Sequence, residues 1–372
     1  MQLSSASSYR NMLILLLTCM VVKLTIGDSF NSTVRLVSYN TGLTTRVGQY
    51  DVRREKVGQA IKDLKADVVC LQEVWLSGDI ERILKSAGKV YPYSYSGLHR
   101  EIGVLEDIPW MKAPCMSTSF LTSFLPCIET RCGHTKGTVD YLTCAREKCK
   151  MLEKLEQECV TCLILSGVKE VASSCVENVK NRFNIPGVLL LSSRPLNRVH
   201  ITRFVQDKKL FIPRAYISAE IEGVGTVACT HTSADLSYSY FEDLKFTSWE
   251  EQNLDEARVL LKSQQHVHRA VIMGDLNGGP KVADFNVSSD FNAAYDYITS
   301  RGYTPSYVDK SGICTWCKYN PLSLASKNII LDHILVKNFN VIGTRRVFDD
   351  VIKDRDFPLS DHFGVEAVIQ LP

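Results

Sequence analysis

Short apolar runs, some alternating with polar residues and some continuous, recur along most of the chain and predict β-strands. Between them, Val57, Ile61 and Leu64 of "DVRREKVGQAIKDLKA" lie at helical spacing, and a second helix is predicted at about 249–265. Because strands dominate and helices intervene, the pattern indicates a layered α/β domain. The predicted strands are "VRLVSYN" (34–40), "DVVCLQEV" (67–74), "GVLLLSS" (187–193), "AYISAEI" (215–221), "TVACTHT" (226–232), "AVIMGDL" (270–276), "NIILDHILV" (328–336) and "GVEAVIQL" (364–371).

The segment from about 103 to 185 does not continue this pattern of predicted strands. Between 139 and 182, apolar residues and cysteines are spaced by threes and fours, which predicts helices with cysteines on their inner face. We interpret 103–185 as a disulfide-rich, mainly helical insertion between two parts of one catalytic domain, 28–102 and 186–372. The residues that carry the helical spacing are Leu142, Ala145, Cys149, Leu152, Leu155, Cys159 and Cys162.

The composition is that of a globular protein, with 45% hydrophobic and 23% charged residues among 372. The first 27 residues contain an apolar run that is interrupted by Lys23, and they predict a signal peptide rather than a membrane anchor. Removing them takes away Arg10, Lys23 and no acidic residue, so the formal net charge falls from +2 to 0. Proteins that bind polyanions mainly through charge are usually more basic. Asn31 and Asn286 begin glycosylation sequons, which can be used only if the chain passes through a secretory pathway.

The placement of the cysteines predicts which of them are bonded. An even, clustered set in an exported chain predicts a disulfide framework, and its pairing is open. Zinc binding is the alternative for "CVTC" (159–162) and "CTWC" (314–317). Cys70 and Cys229 lie in apolar strand runs, so we expect them to be buried, unpaired thiols. The clustered cysteines are Cys115, Cys127, Cys132, Cys144, Cys149, Cys159, Cys162 and Cys175.

Polar residues stand at or near the ends of the apolar runs. Each alone has a structural explanation: Asn40 suits a turn, Glu73 can cap a helix, and His231 can be a hydrogen-bonded core histidine. Together they would line one cleft at one edge of the sheet. The complete set is Asn40, Glu73, His231, Asp275, Asn277, Asp332, Asp361 and His362.

The motifs around these residues resemble, in order, those of the endonuclease/exonuclease/phosphatase superfamily. They are "SYN", "CLQEVW", "THT", "MGDLN", "LDHI" and "LSDH", and the resemblance covers about 34–102 and 186–372. It implies a four-layer α/β sandwich, in which two packed mixed sheets are flanked by helices. "DVVCLQEVW" followed by "YPYSYSG" (91–97) is most similar to the sphingomyelinase branch. The segment 103–185 has no counterpart in the common core.

The resemblance implies a divalent metal ion, Mg²⁺ in the first place. Glu73 would supply a hard oxygen ligand, and Asn40 would assist through its amide oxygen or a water. Asp361, Asp275 and Asn277 would position the attacking water, hold the phosphate or complete the outer shell of the metal. Such a set suits phosphodiester hydrolysis, because charge on the non-bridging oxygens must be neutralised before water can attack.

By the same resemblance, His362 is the general base, and a carboxylate, Asp332 in the first place, orients its imidazole. His231 would hydrogen-bond the phosphate and protonate the leaving alkoxide. This accounts for an Asp-His pair that stands just before the last predicted strand.

Three functions follow as alternatives. The first is a secreted phosphodiesterase without a transmembrane anchor, which hydrolyses sphingomyelin or a related choline phospholipid at a membrane surface. The second is a secreted deoxyribonuclease-like endonuclease with the same chemistry; the near-zero charge counts against it. The third is an inactive binding module of the same fold, which the intact set of catalytic residue types disfavours.

The stretch "IPWMKAPCMSTSFLTSFLPC" (108–127) is apolar without regular periodicity. Its side chains could pack against the helices of the insertion. Alternatively, part of the set could stay exposed beside the cleft and bind a lipid surface. The residues concerned are Trp110, Met111, Phe120, Leu121, Phe124 and Leu125.

Overall fold

A computed structural model describes residues 33–106, 113–134, 138–166, 172–177, 182–205, 210–235, 246–308 and 310–371. The predicted signal peptide and the sequon at Asn31 lie outside these residues. The strands are β1 (Thr33–Leu43), β2 (Val68–Val74), β3 (Tyr93–Ser96), β4 (His99–Glu101), β5 (Val104–Leu105), β6 (Leu189–Ser192), β7 (Leu196–Arg203), β8 (Ala215–Ile221), β9 (Gly225–His231), β10 (Ala270–Asp275), β11 (Thr304–Pro305), β12 (Asp332–Lys337), β13 (Asn340–Val347) and β14 (Gly364–Gln370).

Two six-stranded sheets form the centre of the fold. The first has the order β13-β14-β1-β2-β6-β3 and the second the order β11-β12-β10-β9-β8-β7, while β4 and β5 pair by themselves. Both sheets are mixed, because β1 runs parallel to β2 and β9 parallel to β10, whereas the other pairs are antiparallel. The central strands are buried on both faces, and this explains their continuous apolar runs.

Helices cover the outer face of each sheet. Residues of α1 and α2 pack with Val37, Val69 and Leu71 of the first sheet, and residues of α6 and α7 pack with Ala228 and Ile272 of the second. The predicted four-layer α/β sandwich is therefore confirmed. No helix within the described residues is long and apolar enough to cross a membrane. The helices are α1 (Tyr50–Leu64), α2 (Ser77–Ala87), α3 (Thr138–Cys149), α4 (Met151–Lys154), α5 (Gln157–Leu165), α6 (Trp249–Ser263) and α7 (Asn292–Thr299).

The described residues of the cysteine-rich segment, 113–134, 138–166 and 172–177, are mainly helical and have a core of their own. Besides α3, α4 and α5 they contain helical turns at Phe120–Cys132 and at Ala172–Glu177. Trp75, Phe183 and Phe211, from outside the segment, pack on this core. The predicted disulfide framework is confirmed, with the pairs Cys115–Cys159, Cys127–Cys149, Cys132–Cys144 and Cys162–Cys175.

The zinc alternative is wrong for both motifs. Cys159 and Cys162 of "CVTC" belong to two different disulfides, and the two cysteines of "CTWC", Cys314 and Cys317, are bonded to each other. The thiolates that zinc requires are therefore absent from these described positions.

The expectation that Cys70 and Cys229 are unpaired thiols is also wrong. They form a disulfide between β2 of the first sheet and β9 of the second, across 159 residues of sequence. Both side chains point into the core between the sheets. An apolar environment is compatible with a thiol and with a disulfide, so only the packing of the two sheets reveals the pair.

Of the two alternatives for the apolar stretch 108–127, exposure on a lipid-binding surface is wrong for two aromatic residues. Phe120 and Phe124 are each only 2% exposed and pack in the core of the cysteine-rich segment, whereas Leu121 is 44% exposed. Trp110 and Met111 lie outside the described residues. Packing on the disulfide-linked helices therefore accounts for the described aromatic residues of this stretch.

Candidate active site

Strands of both sheets bring polar side chains together at one edge of the sandwich. Asp275 is the last residue of β10, and its register partners are His231, at the end of β9, and Asp332, at the start of β12. β12 is antiparallel to β10, so its first residue lies where β10 ends. Asn40 of β1 reaches across from the other sheet, and its Nδ2 donates to Asp275 Oδ2 at 2.9 Å.

His362 is held by Asp332. Its Nδ1 lies 2.9 Å from Asp332 Oδ2, and the two side chains are 8% and 0% exposed. Since the carboxylate accepts, Nδ1 keeps its proton in both protonation states, and Nε2 is free to accept another in the neutral imidazole. The pKa of His362 lies well above its usual value, because Asp332, Asp275 and Asp361 outweigh the lowering effect of burial. These carboxylates therefore stabilise the imidazolium, as is required of a group that takes up a proton during a reaction.

His231 has the opposite electrostatic surroundings. Burial and the adjacent Arg214 guanidinium lower the pKa of His231, so its imidazole is neutral. Arg214 Nη1 lies 2.7 Å from His231 Nδ1. Because arginine can only donate, Nδ1 accepts, and the proton resides on Nε2, 3.4 Å from Asp275 Oδ2. His231 is thus a neutral hydrogen-bond donor in the site.

Asp275 is an ionised, buried carboxylate at the centre of the group. Burial alone would raise its pKa, but the hydrogen bonds from His231 and Asn40, together with the charge of His362, hold the pKa well below its usual range. Its Oδ1 accepts the backbone N–H of Asn277 at 2.8 Å. Asn277 has φ of 47°, and its Nδ2 donates to the carbonyl of Thr232 at 2.9 Å. Asn277 is therefore fixed beside Asp275.

Glu73 and Asp361 bring further negative charge to this edge. Glu73 adopts a left-handed backbone conformation, with φ of 58°, and its Oε1 accepts from Asn40 Nδ2 at 3.2 Å. Burial raises the pKa of Asp361, and the charge of Glu73 adds to this rise. Asp361 approaches the backbone of Gly42 so closely that a Cβ there would lie 2.5 Å from its Oδ1. Gly42 also has φ of 51°, a left-handed conformation that favours glycine.

Two groups of residues could hold a cation. Asp275, Asp332 and His362 each offer one ligand atom within 4.8 Å of the others, but His362 and Asp332 are already bonded to each other. Glu73, by contrast, is only half-buried and stands near a second carboxylate, Asp361. Hard carboxylate oxygens in partial contact with water fit Mg²⁺.

Asn40 would take part in such a site from a defined position. Its Oδ1 accepts the backbone N–H of Gly42 at 3.0 Å, while its Nδ2 donates to Glu73 and to Asp275. In this arrangement the Asn40 amide lies between the carboxylates of Glu73 and Asp275. Its oxygen keeps one lone pair for a ligand or a water.

Arg53, which the sequence pattern did not indicate, is fully buried in α1. It lies four residues before Val57 and eight before Ile61, on the buried face of the helix, and this position is the signal that could have identified it. Its guanidinium ties the end of β1 to the loop before His362. The accepting carbonyls, at 2.8 to 3.2 Å, are those of Thr41, Gly42, Val47, Gly48 and Leu359.

Asn253 of α6 was missed in the same way. It precedes the buried residues Ala257 and Leu261 by four and eight positions. Its Nδ2 lies 2.8 Å from the carbonyl of Ser233 and 2.9 Å from that of Leu276. Asn253 therefore holds the segments that follow β9 and β10 in place. Arg214, which fixes the tautomer of His231, was also missed, although a charged residue directly before a buried strand is a recognisable signal.

Comparison with known proteins agrees with this geometry. The family model for the endonuclease/exonuclease/phosphatase family matches residues 37–362. The chain belongs to this family. Its members are generally hydrolytic enzymes, so the coarse activity class follows from membership. No curated protein matches the chain in sequence.

Solved structures of similar fold include three of different description. Sphingomyelinase C from Streptomyces griseocarneus has a TM-score of 0.51 and 15% identity, with 91% of this chain and 99% of that chain covered. D. rerio TDP2 complexed with single-strand DNA product has a TM-score of 0.52 and 13% identity, with coverage of 91% and 99%. An endonuclease/exonuclease/phosphatase from Beutenbergia cavernae has a TM-score of 0.50 and 15% identity, with coverage of 91% and 72%. At these identities the likeness shows the fold alone.

Proposed function

We propose that this protein is a metal-dependent phosphodiesterase in which His362 activates water for in-line attack on phosphorus. The observation that carries the proposal is the buried pair of His362 and Asp332 beside Asp275, an ionised carboxylate that Asn40 and His231 hold in place. Geometry and charge agree, since the base has a fixed tautomer and its protonated form is stabilised.

The proton pathway follows from the hydrogen bonds. Asp332 accepts a hydrogen bond from Nδ1–H of His362. Nε2 is therefore the atom that takes the proton of the attacking water. Asp275 and Asn277, which are rigidly connected, position the water or the phosphate. The Nε2–H of His231 donates a hydrogen bond to a phosphate oxygen. Because the ring is neutral and has only this proton, the leaving alkoxide takes its proton from water. No residue of the described site has to form a covalent intermediate.

Glu73 and Asn40 would hold the divalent ion, and Asp361 would complete its outer shell. When bound, Mg²⁺ neutralises the charge on the non-bridging oxygens of the phosphate. Carboxylates and an amide oxygen are the donors that such an ion prefers. Backbone carbonyls accept from all of the donor nitrogens of Arg53, so none of its N–H groups is left to bind the phosphate.

In this proposal the substrate is sphingomyelin or a related choline phospholipid. It is supported by "DVVCLQEVW" and "YPYSYSG", which are similar to the sphingomyelinase branch, and by a likeness in fold to a sphingomyelinase C. The described residues contain six disulfides, which is typical of oxidising compartments and supports secretion. Residues 28–102 and 186–372 would form the catalytic domain, and 103–185 an insertion.

Nucleic acid is the second candidate substrate, because a protein of similar fold was solved with a single-strand DNA product. One experiment separates the two. The purified protein would be incubated with Mg²⁺ and either sphingomyelin vesicles or supercoiled plasmid, and phosphocholine release and nicking would be measured. We expect phosphocholine release that EDTA abolishes and Mg²⁺ restores.

The matched control is a His362→Ala preparation, which identifies a contaminating enzyme. Plasmid nicking without phosphocholine release would assign the nuclease alternative. Full activity in EDTA would contradict the metal-dependent mechanism itself.

A further inference from the structure

Four cationic side chains line a surface cavity of about 530 Å³ on the outer side of the second sheet. Two of them belong to α6, one follows α7, and one is the last residue of β12. No acidic side chain is among the described residues that line the cavity. Its size is that of a site for a small ligand rather than for a single ion. The four cations are Arg258, Lys262, Arg301 and Lys337.

These four cations form no ion pair with a carboxylate in the part of the chain that the structure describes. Basic side chains elsewhere on the surface do form such pairs. Arg82 Nε lies 2.7 Å from Glu55 Oε1, and Arg198 Nη1 lies 2.9 Å from Glu220 Oε1. The positive charge of the cavity is therefore not compensated by neighbouring acidic residues.

Tyrosine rings hold three of the cations at the cavity. The guanidinium carbons of Arg301 and Arg258 lie 4.7 and 5.9 Å from the centroid of the Tyr297 ring. Lys337 Nζ lies 5.8 Å from the centroid of the Tyr303 ring, which is fixed because this tyrosine is only 3% exposed. A contact with the face of a ring uses none of the N–H donors of the cation. These donors therefore remain available to an anion.

The ends of two helices explain only part of this positive charge. Lys262 is in the last turn of α6, and Arg301 lies two residues beyond the end of α7, where cations interact favourably with the helix dipole. Each helix C-terminus carries about half a negative charge, so two termini offset about one of the four positive charges. A local excess of positive charge remains.

The cavity lies at the opposite end of the second sheet from the candidate active site. In the pairing of β10 with β12, Asp275 is opposite Asp332 at the catalytic end. Ala270 is opposite Lys337 at the other end. Five residues of a strand separate the two ends by about 17 Å. A flat membrane surface at the catalytic edge would therefore not reach this cavity.

We propose that this cavity binds a sulfated glycan and does so independently of the catalytic reaction. Sulfate groups on neighbouring sugars would accept from the four cations, and the planar guanidinium groups of Arg258 and Arg301 can each donate two parallel hydrogen bonds to one anionic group. Export of the chain, which the six disulfides support, would bring it into contact with such glycans. The inference rests on the proposed secretion and not on the choice of substrate.

Two other polyanions fit the cavity less well. Single-stranded nucleic acid is bound largely through bases that stack on free aromatic faces. Here, however, Tyr297 carries two guanidinium groups and Tyr303 is buried. An anionic membrane would have to lie against the end of the sheet that is remote from the candidate active site. A glycan chain in solution meets neither obstacle.

The test measures binding of the purified protein to a heparin oligosaccharide by isothermal titration calorimetry at several salt concentrations. Arg301→Gln combined with Lys337→Gln should raise Kd about 10-fold or more, because charge-assisted hydrogen bonds are lost. The slope of log Kd against log salt concentration should fall by about one for each cation removed. Arg258→Gln combined with Lys262→Gln, on a different element, should have the same effects.

Arg82→Gln combined with Lys85→Gln is the matched control, because it removes the same two charges from α2, which covers the other sheet. It should leave Kd unchanged. Fully desulfated heparin of the same length should not bind measurably. All three double variants should keep the circular dichroism of the wild type and its turnover of a water-soluble phosphodiester.

An unchanged Kd in both cavity variants, or an equal rise in the control variant, would overturn the site. Absence of heparin binding by the wild type, or equal binding of desulfated heparin, would overturn it as well. Vesicles containing phosphatidylserine and oligothymidylate would be titrated beside heparin. If either binds more tightly than heparin and loses this binding in the cavity variants, the glycan is the wrong ligand. None of these results alters the proposed phosphodiesterase activity, which is measured separately.

Discussion

At the scale of single residues, the proton positions around His362 and His231 give the sharpest expectation. We expect His362→Ala to lower kcat about 10²-fold or more, the usual scale for loss of a general base. Asp332→Asn should also lower kcat, because its amide can present a donor to Nδ1 and favour the wrong tautomer. The double variant should be no worse than His362→Ala, since both residues act through one proton.

These variants would be assayed on a water-soluble phosphodiester, with circular dichroism as the control for folding. Near-wild-type turnover of His362→Ala would place the base elsewhere, with Asp275 as the next candidate. An additive double variant would show that Asp332 acts independently of the imidazole.

Arg53 shows how a single buried cation stabilises the loops of the site. Its five donor N–H groups meet five backbone carbonyls, and the bonds to Thr41, Gly42 and Leu359 are buried, so Arg53→Met would take a donor away from each of these acceptors. We expect a loss of about 3 kcal/mol or more in the free energy of unfolding. Arg53→Lys, with three donors, should be intermediate.

Urea unfolding measures both changes. Arg82→Met is the matched control, because the ion pair of Arg82 with Glu55 is exposed and should be worth less than about 1 kcal/mol. Equal stability of the Arg53 and Arg82 variants would contradict the role assigned to the buried guanidinium.

The buried residue His99 should by itself make the free energy of unfolding depend on pH. It is buried between Ser94 Oγ and Ser96 Oγ, and burial lowers its pKa from 6.5 to about 4. Between these values the unfolded chain binds a proton that the folded chain does not. The stability that wild type has relative to His99→Gln is therefore complete above pH 6.5 and decreases as the pH falls toward 4.

The slope of this difference should approach about 1.4 kcal/mol per pH unit, because a single proton is involved. Urea unfolding of wild type and variant at several pH values measures it, and all other titrating groups cancel in the comparison. A difference independent of pH between 6.5 and 4.5 would mean that His99 is protonated in the folded protein.

At the scale of elements, the sequence predicts the central strands well and the outer strands poorly. β8, β9, β10 and β14 agree with the predicted runs to within one residue at each end, because most of their residues are buried and apolar. β7 and β13 lie at the edges of the two sheets and are largely solvent-exposed. Their mixed polarity gives no clear period, so they were not predicted.

The sequence likewise predicted some residues of the candidate site and not others. The strand-end residues could be found because a polar residue that closes an apolar strand is visible in the sequence itself. Arg53, Asn253 and Arg214 act by bonding to backbone or to another side chain, and their partners are distant in sequence. Pairing of Cys70 with Cys229 likewise depends on how two sheets face each other. These contacts are formed only by tertiary packing, so the local sequence pattern could not reveal them.

The loop before β12 offers a prediction at this scale. Thr315 Oγ1 accepts the backbone N–H of Asp332 at 3.2 Å, the Thr315 carbonyl accepts that of Phe363 at 2.8 Å, and the Trp316 ring stacks on His362. The Cys314–Cys317 disulfide encloses both residues. Replacing both cysteines by alanine should lower kcat about 10-fold, because Asp332 and His362 lose their support.

Stability should change little in this variant, since a disulfide that closes so short a loop restricts the unfolded chain least. Alanine at both Cys132 and Cys144, a short-range pair in the cysteine-rich segment, is the matched control and should leave kcat unchanged. An unaltered kcat in the Cys314 and Cys317 variant would show that the loop holds its position without the bond.

At the scale of the whole molecule, the candidate site depends on how the two sheets meet. Asn40 of the first sheet is bonded to Asp275 of the second, and the loop that carries His362 leads into β14 of the first sheet while its partner Asp332 belongs to the second. Any rotation of one sheet against the other would therefore separate the base from the residues that orient it. The core between the sheets and the Cys70–Cys229 disulfide oppose such a rotation.

Replacing Cys70 and Cys229 together by alanine tests this view. The disulfide closes a loop of 159 residues, so its loss should lower the free energy of unfolding by about 2–4 kcal/mol, measured by urea unfolding. At a temperature where the variant is still folded, kcat should fall less than in the Cys314 and Cys317 variant, because apolar packing continues to hold the two sheets in register. Alkylation of the wild type without reduction, followed by mass mapping, should leave both cysteines unlabelled. Labelled thiols at these positions, or unchanged stability of the double variant, would show that the sheets are joined by packing alone.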